Sequence, residues 1–469
     1  MADWKKLLNG WRRDATPTAG KSRAGGAKAG DTRTELERDY DRILFSTPVR
    51  RLADKTQVFP LEKHDSVRNR LTHSHEVANL ARSIGTYLAF HTNVAAKVTD
   101  RQRDLPAALA AAGLAHDLGN PPFGHQGEEA IQSWFRDMNT KHKILRGLTK
   151  RQKNDFLRFE GNAQTFRLVT RLQPGDSRHG LNLSFATLAA LVKYPTFADD
   201  VNRNHVSKKK FGIFSSEEAI VSEVWKQTGL RPGKRHPLTF LMEACDDIAY
   251  TILDAEDAVK KGLVSFWDLI SYLESHAGDD PAIRKVVAQG KRKHQDYSKE
   301  SLSPAELNDV STQRFRVFVI NRMVIDVRNE FLKRQAAIES GRLGQSLLDV
   351  SESRCLRNVL KDFDSKHAYA HRSVREIELQ GYNTIRGLMD FMWTAVSSWK
   401  RGQTPPISNP FPAYVYSRIS ENYRRVFEDA ENRMPERYKQ LQLMGDMISG
   451  MTDSFAIDLY EDLCKYRVQ

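Results

Sequence analysis

The window AHDLGNPPFGHQGEEA, residues 115–130, gathers His116, Asp117, His125, Glu128 and Glu129 around a Gly-Asn-Pro-Pro turn. Imidazole and carboxylate groups are common ligands for divalent transition metals, and they are also the usual proton carriers of hydrolytic sites. The helical pattern LPAALAAAGLAHDLG stops at Gly119 and the prolines, which puts His116 and Asp117 at a helix end. Adjacent helical residues point about 100° apart, so both reach one ion only if it sits beside that end. His125 and Glu128 stand three apart on the next segment and share a helical face. Taken alone, a His-Asp pair reads as a surface or capping pair and His125 as a turn-capping histidine. Both gain meaning from company elsewhere in the chain.

Upstream, NRLTHSHEV sets Arg70 and His73 at an i,i+3 spacing on one helical face. Downstream, EACDDIAYTILDAED repeats Asp246, Tyr250 and Asp254 at i, i+4 and i+8, a polar stripe in an apolar helix. A carboxylate in such surroundings is costly unless it is paired or metal-bound. The competing reading is a solvent-facing acidic edge, because Glu256 and Asp257 follow at once.

The elements that must position these residues read as helices. HSHEVANLARSIGTYLAF, NLSFATLAALVKY, PLTFLMEACDDIAYTILDAEDAV and TQRFRVFVINRMVIDVRNEFL all carry apolar residues at helical spacing. Glycine and proline punctuate the chain, and β-branched alternating runs are scarce. The expectation is an all-α fold with little or no sheet, apart from a small hairpin near KKKFGIFSS. Residues 1–33 include a Gly/Ala/Lys/Thr-rich stretch and are expected to form a flexible basic segment. Residues 34–275 form the expected core, 276–312 a polar linker or insertion, and 313–469 a C-terminal helical region; 196–235 read as polar loops. No fixed-period repeat is present.

Of 469 residues, 72 are Lys or Arg and 59 Asp or Glu, a net charge of +13. That excess suits polyanionic ligands without choosing between a triphosphate and a polynucleotide. No apolar run approaches the ~20 residues of a membrane span, and MADWKKLLNGWRR lacks the pattern of a secretory signal. Cys245, Cys355 and Cys464 lie far apart, which fits free thiols in a reducing cytoplasm and excludes a disulfide framework or a zinc site of paired cysteines.

The order H … HD … D on separate helices resembles the HD metal-dependent phosphohydrolases. The longer stretches RDYDRILFSTPVRRLADKTQVFPL, RNRLTHSHEV, AHDLGNPPFGHQGEEAI, FEGNAQTFR, TLAALVKYP, KFGIFSSEEA and LMEACDDIAYTILDAEDA, over roughly residues 35–260, are similar to the deoxyguanosine-triphosphatase branch of that superfamily. The resemblance implies an HD-domain helical bundle with an extended C-terminal helical region. It implies His73, His116, Asp117 and Asp246 as metal ligands, Asp246 being chosen over Asp247 because it keeps the four-residue step to Tyr250. It implies His125 and Glu128 as the catalytic pair and Gln57 as the reader of the 3′-hydroxyl of a deoxyribose. Tyr250 and Asp254 fall on the sugar side, Lys193, Tyr194 and Lys210 on the triphosphate, with Asn162 beside them and Arg70 offsetting phosphate charge. RLTHSHEV departs from the family pattern at His75, which reads as a helix-face residue.

The activity so implied is metal-dependent hydrolysis of deoxynucleoside triphosphates, of dGTP or several dNTPs, to deoxynucleoside and inorganic triphosphate. The metal is manganese, magnesium or iron. Metal-bound water gives a nucleophile near neutral pH, and His125 fits general acid–base duty with Glu128 orienting it. The resemblance also implies a homo-oligomer, often hexameric, control by single-stranded DNA or a nucleotide, and phosphate contacts such as Arg418 from a neighbouring subunit. Two other readings compete. An HD phosphodiesterase or nucleotidase would need the metal set but not the triphosphate lysines. A nucleic-acid-responsive binding protein would use the basic surface, although the aromatic interleaving of a single-strand groove is not evident.

Overall fold

Helix starts in this chain follow capping chemistry. Thr34, Asn69, Ser265 and Ser303 each close a capping box with the residue three positions on, opening the helices Glu35–Leu44, Arg70–His91, Phe266–His276 and Pro304–Lys333. Proline in the first turn starts Pro237–Lys260 and Pro281–Tyr297, where its missing N–H costs nothing. The computed structural model describes residues 3–15, 31–62, 64–173, 179–397, 399 and 410–466. Among these there is no strand, only an isolated antiparallel bridge between Thr56 and Asn69. The chain is all-α, as its periodicity predicts. The hairpin expected near KKKFGIFSS is instead irregular backbone, with the core residues Phe211, Ile213 and Phe214 buried in it.

The centre of the molecule is Pro237–Lys260, buried from Pro237 through Cys245 and again from Thr251 through Val259. It packs on Arg70–His91, Arg101–Ala115, Pro304–Lys333 and Arg354–His367. Arg70–His91 and Arg101–Ala115 make the most extensive helix pair, and small residues let them approach closely. A Cβ added to Gly113 would lie 2.9 Å from Cα of Ala78, so only glycine fits that crossing. Together these three helices carry His73, His116 and Asp246 toward one point.

The C-terminal helices do not form a separate body. Arg372–Val396 packs on Gly124–His142 and on Asp453–Tyr466. Arg167 donates to Asp446 from Nε (2.8 Å) and Nη2 (2.7 Å) and to Glu217 from Nη1 (2.9 Å), all fully buried. Desolvation offsets much of the attraction in a buried charge triad of this kind, so its net contribution to stability is small. Trp134 adds an indole N–H to Asp390 at 2.7 Å.

Three expectations change. Within the segment 1–33, residues 16–30 lie outside the described residues, but 3–15 pack rather than flex. Trp4, Leu7 and Leu8 are buried, and Arg12 pairs with Glu35 (2.8 Å) and Asp39 (2.6 Å). The amphipathic WKKLL outweighs the polar composition around it. The 276–312 linker contains the helix Pro281–Tyr297 and the start of Pro304–Lys333, with Ile283, Val286 and Val287 in the core. The loops at 196–235 include the helix Glu218–Thr228, which buries Ile220, Val221 and Val224. Among the described residues no helix is long and apolar enough to cross a membrane.

Candidate metal and phosphate site

His73 lies one turn into Arg70–His91, His116 caps the end of Arg101–Ala115, and Asp246 sits midway along Pro237–Lys260. One ligand atom from each lies within 4.8 Å of the others. Asp246 Oδ1 stands 3.3 Å from His73 Nε2 and 3.4 Å from His116 Nε2. The two rings meet edge-on, 5.5 Å between centroids. His116 Nδ1 is 2.7 Å from the carbonyl of Gly113, so Nδ1 donates there and Nε2 is the nitrogen left to ligate a metal when the ring is neutral. That buried Nε2 has no hydrogen-bond partner. An orphaned imidazole nitrogen facing a carboxylate and a second imidazole is a donor set for a divalent cation, and these residues fit one.

Asp117, the fourth expected ligand, is turned partly away. Its Oδ2 accepts from Arg70 and its Oδ1 from Asn120 Nδ2 at 2.9 Å, while Oδ1 stays 3.4 Å from His116 Nε2. Lys193 Nζ donates to Asp246 Oδ2 at 3.0 Å. The site's negative potential is plain in its proton equilibria. Burial depresses the His116 imidazolium, but Asp117 and Asp246 outweigh it and raise its pKa to about 10. Burial works against the charge on Asp246, yet Lys193 and His116 hold it well below the usual carboxylate range. A pocket that holds positive charge this firmly suits a metal ion.

After His116 the chain turns sharply. Phe123 adopts a left-handed conformation (φ 58°), unusual for a large residue, immediately before Gly124–His142. On that helix His125 Nδ1 is 3.3 Å from Glu128 Oε2; His125 is exposed and Glu128 buried. Glu128 Oε1 accepts the main-chain N–H of Gly161 at 2.7 Å. A Cβ on Gly161 would fall 2.2 Å from Asn120 Oδ1 and 2.9 Å from Glu128 Oε1, so the glycine lets that backbone reach the carboxylate. The hydrogen bond that His125 donates to Glu128 raises the His125 pKa above its ordinary value.

The remaining residues fall into two groups. Lys210 Nζ (2.7 Å) and Asn162 Nδ2 (3.3 Å) both donate to Glu160 Oε1, beside Glu128. Tyr194 is buried, with the Arg235 guanidinium 5.7 Å from its ring centre. On the other side, Asp254 accepts the Tyr369 hydroxyl at 2.6 Å, and Lys361 Nζ lies 4.6 Å from the ring centre of Tyr250. Burial pushes the Asp254 carboxyl up to about 8, although the Tyr369 hydrogen bond opposes it. Gln57 Oε1 is buried without a partner. Arg70 is committed elsewhere. Besides Asp117, it donates to the Thr56 carbonyl from Nε (3.1 Å) and Nη2 (2.8 Å), so it braces the Gln57 loop rather than reaching outward. His75 lines a separate cavity on the far side of its helix, with Asn79 and Arg82.

Sequence reasoning missed Asn120, Glu160, Lys361 and Tyr369. Asn120 and Glu160 stand inside AHDLGNPPFGH and FEGNAQTFR, so their signal was available. Lys361 and Tyr369 lie on Arg354–His367 and just beyond it, where no motif marks them.

Residues 70–172 match the HD domain family. A Listeria monocytogenes protein called deoxyguanosinetriphosphate triphosphohydrolase-like is 38% identical over 98% of this chain and 99% of its own length. A probable deoxyguanosinetriphosphate triphosphohydrolase of Pseudomonas aeruginosa is 34% identical over 98% of each. A deoxyguanosinetriphosphate triphosphohydrolase of Serratia proteamaculans is 32% identical over 92% of this chain and 93% of the relative.

Proposed function

The chain belongs to the deoxyguanosinetriphosphate triphosphohydrolase family of HD-domain hydrolases, and from that premise we propose that it hydrolyses deoxynucleoside triphosphates, dGTP or several dNTPs, to deoxynucleoside and inorganic triphosphate. The convergence of His73, His116 and Asp246 within 4.8 Å carries this reading. These three, with Asp117, would hold the metal: manganese, magnesium or iron. A divalent cation bound there supplies Lewis-acid chemistry, lowering the pKa of water and offsetting phosphate charge.

The protein's own groups account for the rest. Water oxygen adds to the α-phosphorus and the bond from that phosphorus to the 5′-oxygen breaks. His125, whose pKa is raised by the hydrogen bond it makes with Glu128, gives its proton to the 5′-oxygen. The incoming water loses its protons, one restoring His125 and the other passing to solvent. Lys193 and Lys210, with Asn162 and Tyr194 beside them, face the triphosphate and offset its charge. Gln57 supplies its unpaired carbonyl oxygen to the 3′-hydroxyl, and a sugar lacking that hydroxyl would leave Gln57 unsatisfied. Tyr250 and Asp254, steadied by Tyr369, form the sugar-side wall.

A reducing cytoplasm, where the substrate is found, agrees with three free cysteines. The proposal extends to a homo-oligomer, of hexameric order, with a single-stranded DNA or nucleotide effector. Arg418, the residue expected to reach a neighbour, is paired within its own chain with the Tyr414 hydroxyl at 2.6 Å.

The test is incubation of purified protein with each dNTP and Mn²⁺ or Mg²⁺, followed by anion-exchange analysis. Intact triphosphate with free deoxynucleoside is expected. Release of pyrophosphate or orthophosphate would assign another reaction, and full activity of Lys193→Ala/Lys210→Ala would favour a phosphodiesterase or nucleotidase.

A further inference from the structure

Beyond Lys210 and Glu160 the surface opens into a cavity of about 800 Å³. Five cationic side chains line it: Arg136, Arg158, Arg203, Lys209 and Lys210. Glu160 is the one carboxylate in the lining, and it already accepts from Lys210 at 2.7 Å. Arg158 and Arg203 make no side-chain hydrogen bond or ion pair among the described residues, although both are exposed and free to reach one. Lys209 Nζ lies 3.9 Å from a Glu243 carboxylate oxygen and 5.9 Å from the ring centre of Tyr194. Arg136 pairs with Glu129, and nearby Arg151 pairs with Asp199 and Glu218 at 3.0 Å each.

The cavity is joined to the catalytic pair by one helix. Glu128, Gln132 and Arg136 recur at i, i+4 and i+8 along Gly124–His142, a stripe about 12 Å long. Its first member holds His125, and the other two line the cavity. Arg136, Arg158, Arg203 and Lys209 thus stand outward of Lys210 and the phosphate end of the site. An anion with several charges, set free at the catalytic pair, has this cluster of cations beside it.

We propose that this cavity is a binding site for linear inorganic polyphosphate, and that it receives the triphosphate released by hydrolysis. The second clause rests on the activity proposed above; the first does not. The lining disfavours nucleic acid, because its only aromatic residue, Phe211, is buried and offers no face for base stacking. Charge number sets the expected order of affinity. Tripolyphosphate binds more tightly than pyrophosphate, and pyrophosphate more tightly than orthophosphate, with the differences shrinking as salt rises.

The test uses the full-length protein stripped of metal with EDTA, titrated calorimetrically with sodium tripolyphosphate. Wild-type protein is expected to bind it at least tenfold more tightly than orthophosphate. Arg158→Glu/Arg203→Glu is expected to weaken that binding at least tenfold, and Arg158→Gln/Arg203→Gln by less. Both positions are exposed, and circular dichroism verifies the fold. In steady-state assays the ratio of the tripolyphosphate inhibition constant to KM for dNTP is expected to rise at least fivefold in the charge-reversed variant. An unchanged calorimetric affinity would overturn the site. A parallel rise in KM would overturn the product assignment, because the cavity would then belong to substrate. Displacement of tripolyphosphate by lower concentrations of a single-stranded 15-mer would overturn it in favour of nucleic acid. If no dNTP yields triphosphate while metal-free protein still binds tripolyphosphate through Arg158 and Arg203, the activity proposed above fails and the polyphosphate site stands.

Discussion

Asp453 Oδ2 accepts the main-chain N–H of Thr56 at 2.9 Å, across 397 residues of chain. Its other oxygen, Oδ1, accepts the N–H of Phe123 at 3.0 Å. One buried carboxylate at the start of Asp453–Tyr466 thus fastens the loop carrying Gln57 to the turn preceding His125. Lys55 repeats the arrangement from the other side, donating to the carbonyls of Asn120 (2.6 Å) and Ser449 (2.7 Å). The start of the helix Asp453–Tyr466 therefore braces two loops of the site from behind.

Asp453→Ala leaves two buried amides unpaired, and we expect a loss of about 1–3 kcal/mol in urea unfolding. Because both loops shift, kcat should also fall, by about tenfold or more. Asp453→Asn, which keeps one acceptor oxygen, should lie between. A variant with wild-type kcat and reduced stability would mean that the clamp is structural only.

Removing a member of the donor set should abolish metal binding without unfolding the protein. For His116→Ala and Asp246→Ala we expect bound Mn²⁺, measured by elemental analysis after dialysis, to drop from one per chain to background. Activity should fall by about a hundredfold or more. Asp117→Asn should lose less metal than either, because Arg70 and Asn120 already occupy its oxygens.

The acid role proposed for His125 makes a signed prediction about pH. Glu128 raises the His125 pKa, and a general acid must be protonated to act. In the wild type, activity is retained until pH climbs through that raised value. Glu128→Gln removes the charge, lowers the pKa, and should move the alkaline limb of kcat/KM against pH to lower pH. A limb that stays in place would assign it to another group.

Gly161→Ala should lower both activity and stability. The added Cβ falls 2.2 Å from Asn120 Oδ1 and 2.9 Å from Glu128 Oε1, both side-chain atoms able to move. We expect kcat to fall about tenfold through displacement of Glu128, with an unfolding loss of about 1–3 kcal/mol. Wild-type kcat in this variant would show that the Gly161–Glu128 hydrogen bond is dispensable.

Much of the site is legible in the chain because its residues lie at helix ends or on helical stripes. His116 follows an alanine-rich helix closed by glycine and proline, and Asp246, Tyr250 and Asp254 repeat every four residues. Local pattern fixes such positions. Other parts depend on contacts between distant segments. Tyr369 meets Asp254 across 115 residues and Asp453 meets Thr56 across 397, and neither partner has a local signature. Arg70 shows the reverse failure. Its spacing from His73 marks the right face, but only the fold reveals that its donors are spent on Thr56 and Asp117. The N-terminal WKKLL and the helices inside 276–312 were hidden by polar composition, although a few apolar residues suffice to dock them.

The proposed hydrolysis turns on attack at the α-phosphorus by water activated where His73, His116 and Asp246 meet. Hydrolysis of dGTP with Mn²⁺ in ¹⁸O-enriched water, with both products analysed by mass spectrometry, tests it most directly. One ¹⁸O is expected in the triphosphate and none in the deoxynucleoside, with turnover lost in His116→Ala. Label in the 5′-hydroxyl of the nucleoside, or release of labelled orthophosphate or pyrophosphate, would contradict it.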